Sequence, residues 1–376
     1  MNRLTRTGWM WLALAALPGC AGPGIEADMP ILRNHDGAWE RMKLCRPRRY
    51  VAGRAQGKMV IDGMGDEPSW QQARWTQYFA DIEGDLKPKP RLRTRAKMLW
   101  DDEYFYFYAE LEEPHVWATL TKKNSRIYDD NDFEVFIDPD GDNHNYYEFE
   151  MNALNTIWEL ALTRPYWDGG PLRNPENIDG TLSGVHVRGT LNDPRDKDKG
   201  WSVEIAIPFK GLRRYADGQS CPPKDGDQWR VGFSRVEWRI RIVNGKYAKV
   251  PNRREDNWVW SPVGIVTMHR PERWGCVQFS TAPPARAWFR PDPAEGAREI
   301  LMEIYHRQRD YRGRFKRFAS TPEQLGLPSD YGKTWISSAV SIRLTETGFV
   351  ATITVKTPDR GRVKLHVRQD SRLWSD

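Results

Sequence analysis

Tyr128-Asp129-Asp130-Asn131-Asp132-Phe133-Glu134-Val135-Phe136-Ile137-Asp138-Pro139-Asp140-Gly141-Asp142, followed closely by Tyr146-Tyr147-Glu148-Phe149-Glu150-Met151-Asn152, is the part of this chain that says most about its fold. Apolar residues recur at every second position. Phe133, Val135 and Ile137 take one face, Glu134 and Phe136 the other, the pattern of a half-buried strand. Glu134 therefore faces out of the core, where a ligand can meet it. The acidic, amide-rich loop in front and the loop behind bracket that face.

Working outward, the same signature repeats. Lys58–Gly63 reads as a strand entering a turn, and Arg95–Leu111 as a hairpin around Asp101-Asp102-Glu103. Trp158–Leu162, Gly184–Gly189, Trp201–Ile207, Trp229–Trp238 and Gly275–Ser280 read as further strands. Many short strands, frequent turns and almost no helical periodicity predict a mainly β chain, an antiparallel β-sandwich of jelly-roll type over 51–282. The linker Thr281-Ala282-Pro283-Pro284 ends it. Ala297, Ile300, Leu301, Ile304, Tyr311, Phe315 and Phe318 then fall at spacings of three, four and seven, an amphipathic helix of five or six turns. Arg307, Arg309, Arg312, Arg314 and Arg317 make its other face basic, a surface suited to a protein partner. Strand-like runs at Ala339–Leu344, Phe349–Val355 and Val363–Val367 complete a small α+β appendage over 290–376.

The N-terminal stretch points to compartment. Arg3 and Arg6 precede the apolar run Trp9–Leu17, which is shorter than the roughly 20 residues a bilayer span needs. It reads as a signal peptide over 1–20. Leu17-Pro18-Gly19-Cys20 resembles a bacterial lipobox, which makes Cys20 the lipidated N-terminus. The expected location is extracytoplasmic, anchored by lipid, in the outer membrane. Residues 21–50 read as a tether. The formal charge is +6; between 290 and 376 there are 16 Lys/Arg against 11 Asp/Glu, so most of the excess lies at that end. The near-neutral body argues against nucleic acid as a partner. Cys45, Cys221 and Cys276 remain, for which one disulfide and one buried thiol is the simplest account in an oxidising compartment.

Five landmarks in order resemble the family 9 carbohydrate-binding modules found attached to xylanases. They are Ile61-Asp62-Gly63 with Asp66-Glu67 and Trp70; Leu99–Tyr106; Asn131–Asp138; Gly200–Pro208; and Trp258-Val259-Trp260-Ser261 with Arg273-Trp274-Gly275. The resemblance covers roughly 58–280. It implies a β-sandwich, binding of poly- or oligosaccharide, structural calcium and no catalysis of its own. Such modules clamp a sugar between two Trp rings. Here one wall falls at Tyr128 and the other near Met268-His269, Glu134 keeps its polar role, and Glu150 stands where a basic partner is expected. The two-ring clamp is lost or rebuilt.

The candidate carbohydrate-binding residues are therefore Tyr128, Asn131 and Glu134, with His269, and with Trp117 and Trp158 from loops and strand ends beside the acidic strand. Eighteen Trp is a heavy load for this length. Trp70, Trp100, Trp201 and Trp229 sit in strand patterns and read as core. Asp138, Asp140 and Asp142 alternate in a Gly-containing loop, hard oxygen donors at a spacing that suits calcium. No GxSxG, HExxH or phosphate-cradling glycine loop is present, and no CxxCH for haem. The expected function is non-catalytic saccharide binding that supports degradation of polysaccharide such as xylan by other enzymes. The alternatives are a scaffolding lipoprotein whose sandwich no longer binds sugar, a glycoside hydrolase using two of the strand carboxylates, and a haem-binding electron-transfer domain.

Overall fold

A computed structural model describes residues 37–170, 172–173, 176–283, 286–358 and 360–376. The signal segment, Cys20 and most of the tether lie outside them.

The chain enters through a short helix, α1 (Ala38–Met42), and strand β1 (Arg49–Arg54). After α2 (Pro68–Gln72) and β2 (Ala80–Asp81) comes the predicted hairpin, β3 (Thr94–Trp100) and β4 (Tyr104–Leu111). The acidic stretch forms β5 (Asp132–Asp138) and β6 (Tyr146–Asn152), continued by β7 (Ile157–Leu162) and β8 (Leu172–Arg173). Then come β9 (Leu182–Arg188), β10 (Gly200–Pro208), α3 (Phe209–Leu212) and β11 (Gln228–Glu237). A small ribbon, β12 (Ile240–Val243) and β13 (Lys246–Lys249), precedes β14 (Asp256–Val259) and β15 (Gly275–Phe279).

Along the sheet path the order is β8-β7-β6-β5-β11-β15-β1-β3-β4-β10-β9, with β14 on β11 and β2 on β14. β1 joins the two layers. Its first half runs parallel to β15, Arg49 opposite Cys276, and its end parallel to β3, Gly53 opposite Leu99. The expected sandwich is present, with these two parallel seams in an otherwise antiparallel pattern. Its core is aromatic. Phe133, Val135 and Ile137 of β5, with Phe149 of β6 and Phe233 of β11, meet Phe105, Phe107, Val203 and Ile205 from the opposite layer. Trp100, Trp201 and Trp229 lie in that core, while Trp70 packs with Leu99 and Tyr106 on the far side of the β3–β4 hairpin. Their assignment to packing holds.

The appendage is α4 (Glu295–Phe315) with the sheet β16 (Ser341–Leu344), β17 (Phe349–Thr357), β18 (Gly361–Arg368) and β19 (Leu373–Ser375). It shares one core with the sandwich. Leu301, Met302, Ile304 and Tyr305 of α4 cluster with Phe136, Tyr146, Trp158, Leu160 and Trp274 from the outer face of the β5–β6–β7 layer.

Three sequence expectations change. Lys58–Gly63 is not a strand; Val60 N–H donates to Glu67 Oε1, and Asp62 and Gly63 N–H to Glu204 Oε2, so side chains replace the ladder. Residues 37–50 are not a free tether. Trp39 stacks on His306 of α4 with centroids 4.8 Å apart, Met42 is fully buried, and β1 is a sheet strand. Cys45, Cys221 and Cys276 are all free thiols. Cys221 donates to the Phe209 carbonyl and Cys276 to Gln228, so each is satisfied locally in a different element.

Candidate functional site

β5 and β6 present Asp132, Glu134, Glu148, Glu150 and Asn152 on one outer face, because residues of equal parity share a face. Glu134 lies directly opposite Glu150, and Ser234 of β11 lies opposite Glu134 on the other side. Sequence reading put Glu134 on this face correctly, but the face is closed. Asp132, Glu134, Glu148 and Glu150 are all buried. Burial, reinforced by their neighbours, raises these carboxyls: Glu134 to about 7, with Ser234 opposing the rise, and the other three well above the ordinary range. One carboxyl oxygen of each of Asp132, Glu148 and Glu150 has no hydrogen-bond partner, while Asp132 Oδ1 accepts the Val236 N–H at 3.0 Å.

The proposed stacking wall is half-buried. The Tyr128 ring has the Arg126 guanidinium 5.3 Å from its centroid and the Trp158 ring 6.1 Å away. Asn131 is committed elsewhere: its amide donates to Glu237 at 3.1 Å and accepts from Trp238 N–H at 2.8 Å. It belongs to a buried network around Arg235, which bonds Glu113 at 3.0 Å and Glu237 at 2.8 Å. Trp117 and Trp158 are buried. His269 lies beside Glu148, takes the Tyr146 hydroxyl at 3.1 Å, and is driven by burial to a pKa of about 3, so its ring is neutral. The structure thus brings Tyr128, Glu134, Trp158 and His269 to one side of the sheet, with Glu134 and Trp158 buried and Tyr128 and His269 half-buried. Asn131 does not join that group; its hydrogen bonds go to Glu237 and Trp238.

The Asp138–Asp142 loop has the donors a hard cation needs. One carboxyl oxygen from each of Asp138, Asp140 and Asp142 lies within 4.8 Å of the others. Burial raises all three, and repulsion from the neighbouring carboxylates adds to it at Asp138, which rises to about 7, and at Asp140, which rises to about 10. Each also turns the backbone, as when Asp138 accepts Gly141 and Asn143 N–H at 3.0 Å, and Arg372 of the appendage bonds Asp142 at 3.0 Å. The donor set fits calcium, with Arg372 already lending it positive charge.

An open aromatic cleft lies elsewhere. A cavity of about 440 Å³ is lined by Tyr50, Arg74, Trp75, Gln77, Trp288 and Phe289, among others. Trp288 is 66% exposed. Arg49 lies 5.1 Å over Phe289, and Arg95 3.9 Å over Trp75. Sequence reading missed it because Trp288-Phe289 sits in the segment treated as a linker. Its aromatic pair within a Pro-rich stretch was the available signal. The Gln278 side chain pins this segment along β15: its Nε2 donates to the Trp288 carbonyl and its Oε1 accepts the Arg290 N–H.

The sandwich and its landmarks define the class. Residues 61–223 match the family model described as carbohydrate family 9 binding domain-like. That region is the one in which the first four of the five ordered landmarks of the sequence lie. More particularly, the chain is 30% identical over 157 residues to endo-1,4-beta-xylanase C of Paenibacillus barcinonensis, covering 42% of this chain and 12% of the relative. It is 32% identical over 110 residues to endo-1,4-beta-xylanase A of Thermotoga maritima, covering 28% and 10%. The chain therefore spans about a tenth of the length of these curated relatives. A family 9 carbohydrate-binding module of Caldicellulosiruptor kristjanssonii in complex with cellotriose is 15% identical, with TM-score 0.39, covering 65% of this chain and all of that one.

Proposed function

We propose that this protein binds poly- or oligosaccharide without transforming it and holds it for separate degrading enzymes. The observation that carries this reading is the match of residues 61–223 to a carbohydrate-binding family. The saccharide is assigned to the cleft under Trp288, since the Tyr128–Glu134 face is closed by the protein's own side chains. There, Trp288 and Phe289 give apolar faces for pyranose rings, and Arg49, Arg74 and Gln77 give donors for hydroxyls. Xylan and β-glucans are the first candidates, because the similar relatives are named as xylanases. The same reading assigns structural calcium to Asp138, Asp140 and Asp142, and a lipid anchor at Cys20 that holds the protein at the outer membrane.

Affinity electrophoresis in gels containing xylan or soluble β-glucans tests it. The protein is expected to be retarded by at least one of them. Trp288→Ala is expected to weaken retardation about tenfold, the value of roughly 1.4 kcal/mol for one stacked ring, with Tyr128→Ala near wild type. Retention lost in Tyr128→Ala but not in Trp288→Ala would return the site to the strand face.

A second reading draws on the closure of that face: a scaffolding lipoprotein whose sandwich no longer binds sugar. Absence of retention on every glycan supports it. On the basic side of α4, Arg307 pairs with Glu303 and Arg309 with Asp168 within the molecule, so Arg312 and Arg314, both exposed, are the arginines of this helix that a partner would meet first.

A further inference from the structure

The closed face of β5 and β6 is chemically unusual. Oxygens of Asp132, Glu134 and Glu150 lie within 4.8 Å of one another. Glu148, on the same face and equally buried, adds a carboxyl oxygen without any hydrogen-bond donor. Glu134 and Glu150 are a directly opposed cross-strand pair, an arrangement that is destabilising for like charges. Among the described residues no Lys or Arg forms an ion pair with any of the four. The nearest cationic type is His269, 4.0 Å from Glu148, and it is neutral. Ser234 lies opposite Glu134, Glu255 adds a further negative charge near it, and the hydroxyls of Tyr128, Tyr146 and Tyr166 lie near Glu148 and Glu150; none of these side chains is positive. Burying several carboxylates without a counter-charge is among the costliest arrangements in a protein.

We propose that Asp132, Glu134, Glu148 and Glu150 form a divalent-cation site, distinct from the Asp138–Asp142 loop, and that calcium is its ion. The geometry gives the reason. Calcium holds oxygen ligands at 2.3–2.6 Å, so its shell is about 5 Å across, which matches oxygens gathered within 4.8 Å. All the donors are hard oxygens, which argues against zinc or copper. Magnesium keeps several waters of its own, for which a face buried this deeply has little room. The ion would tie β5 to β6 and neutralise the charge beneath the appendage.

The site is independent of saccharide, so its test contains none. Purified protein is stripped with chelator and titrated with terbium, whose luminescence is sensitised by nearby aromatic rings such as Tyr128 and Trp158. It is also analysed for bound calcium after dialysis. Glu150→Gln is expected to lower the bound stoichiometry by one, whereas Asp140→Asn leaves the Glu150-dependent ion in place. Calcium is expected to raise the thermal midpoint of wild type and of Asp140→Asn, and to raise that of Glu150→Gln much less. Should Glu150→Gln fail to fold, Glu148→Gln and calcium analysis of the wild type carry the same comparison. A stripped protein that takes up no ion, or a stoichiometry unchanged in the folded Glu150→Gln or Glu148→Gln variant, overturns the proposal. The carboxyls would then be sharing protons instead.

Discussion

Gly63 shows what a single residue of the opening motif does. Its φ is +92°, and an added Cβ would stand 2.5 Å from the backbone nitrogen of His186. Its N–H donates to Glu204 Oε2 at 2.8 Å, as does that of Asp62 at 3.1 Å, while Trp70 Nε1 donates to Glu204 Oε1 at 2.7 Å. Ile61-Asp62-Gly63, Trp70 and the β10 landmark are thus one hydrogen-bonded unit. They were legible as separate motifs because each carries an uncommon requirement: a positive φ, an indole donor, a carboxylate acceptor. Their convergence was not legible, since the partners are about 140 residues apart. Gly63→Ala combines a backbone clash with a conformation that side chains rarely adopt. It is expected to destabilise by about 2 kcal/mol or more in denaturant unfolding. Saccharide retention of the folded fraction should be unchanged.

At the scale of elements, alternation and helical period did most of the reading. The β3–β4 hairpin, β5, β6, β10 and β11 fall where period two placed them, and α4 where period 3.6 placed it. Misreadings came where side chains or distant strands supply the partners. Lys58–Gly63 has strand-like residues but is bonded by Glu67 and Glu204, and β1 looks like part of a tether until β15 and β3 pair with it. The predicted apolar stripe of α4 is buried at Ala297, Leu301 and Ile304 but runs out at Phe315, which is exposed. Leu301 is fully buried between the two parts. Leu301→Ala is expected to cost about 2–5 kcal/mol. Because the core is shared, the loss should appear in a single unfolding transition by fluorescence and circular dichroism. Two separated transitions would mean that the appendage folds independently.

Across the whole molecule, buried charge links the layers to the appendage. Arg270, fully buried, bonds Glu272, which in turn meets His306 of α4 at 3.3 Å. Burial alone would raise the Glu272 carboxyl; Arg270, His306 and Arg273 outweigh it and hold it at about 2. Burial, joined by the Arg270 charge and only partly offset by the hydrogen bond that Glu272 accepts, lowers His306 to about 4. Both groups have folded values below their unfolded ones. Their stabilising contribution is therefore complete above about pH 6.5 and is lost as pH falls, through His306 first and Glu272 last. The thermal midpoint is expected to fall from pH 6.5 towards pH 3, with a shallower slope in Glu272→Gln over pH 4.5 to 3. Equal slopes for the two proteins would show that the pair does not set acid stability. Deleting 290–376 tests the shared core in another way. It uncovers Phe136, Tyr146, Trp158 and Trp274 together. The truncated protein is expected to aggregate or bind a hydrophobic dye strongly, an outcome opposite to that of an independent sandwich.

What the amino-acid order determined alone is local: strand and helix periods, turn residues, the ordered landmarks and the parity that turns Glu134 out of the sandwich core. These depend on neighbours within a few positions, so they survive without any knowledge of the fold. Tertiary structure alone decided whether that outward face meets solvent. α4, the 37–50 segment and the two separate loops that carry Tyr166 and His269 come from remote parts of the chain to pack on that side of the sheet, and no local period records their approach. That packing converts a predicted sugar shelf into a buried carboxylate cluster. It leaves the open aromatic cleft at Trp288, where the segment after β15 lies along the sheet.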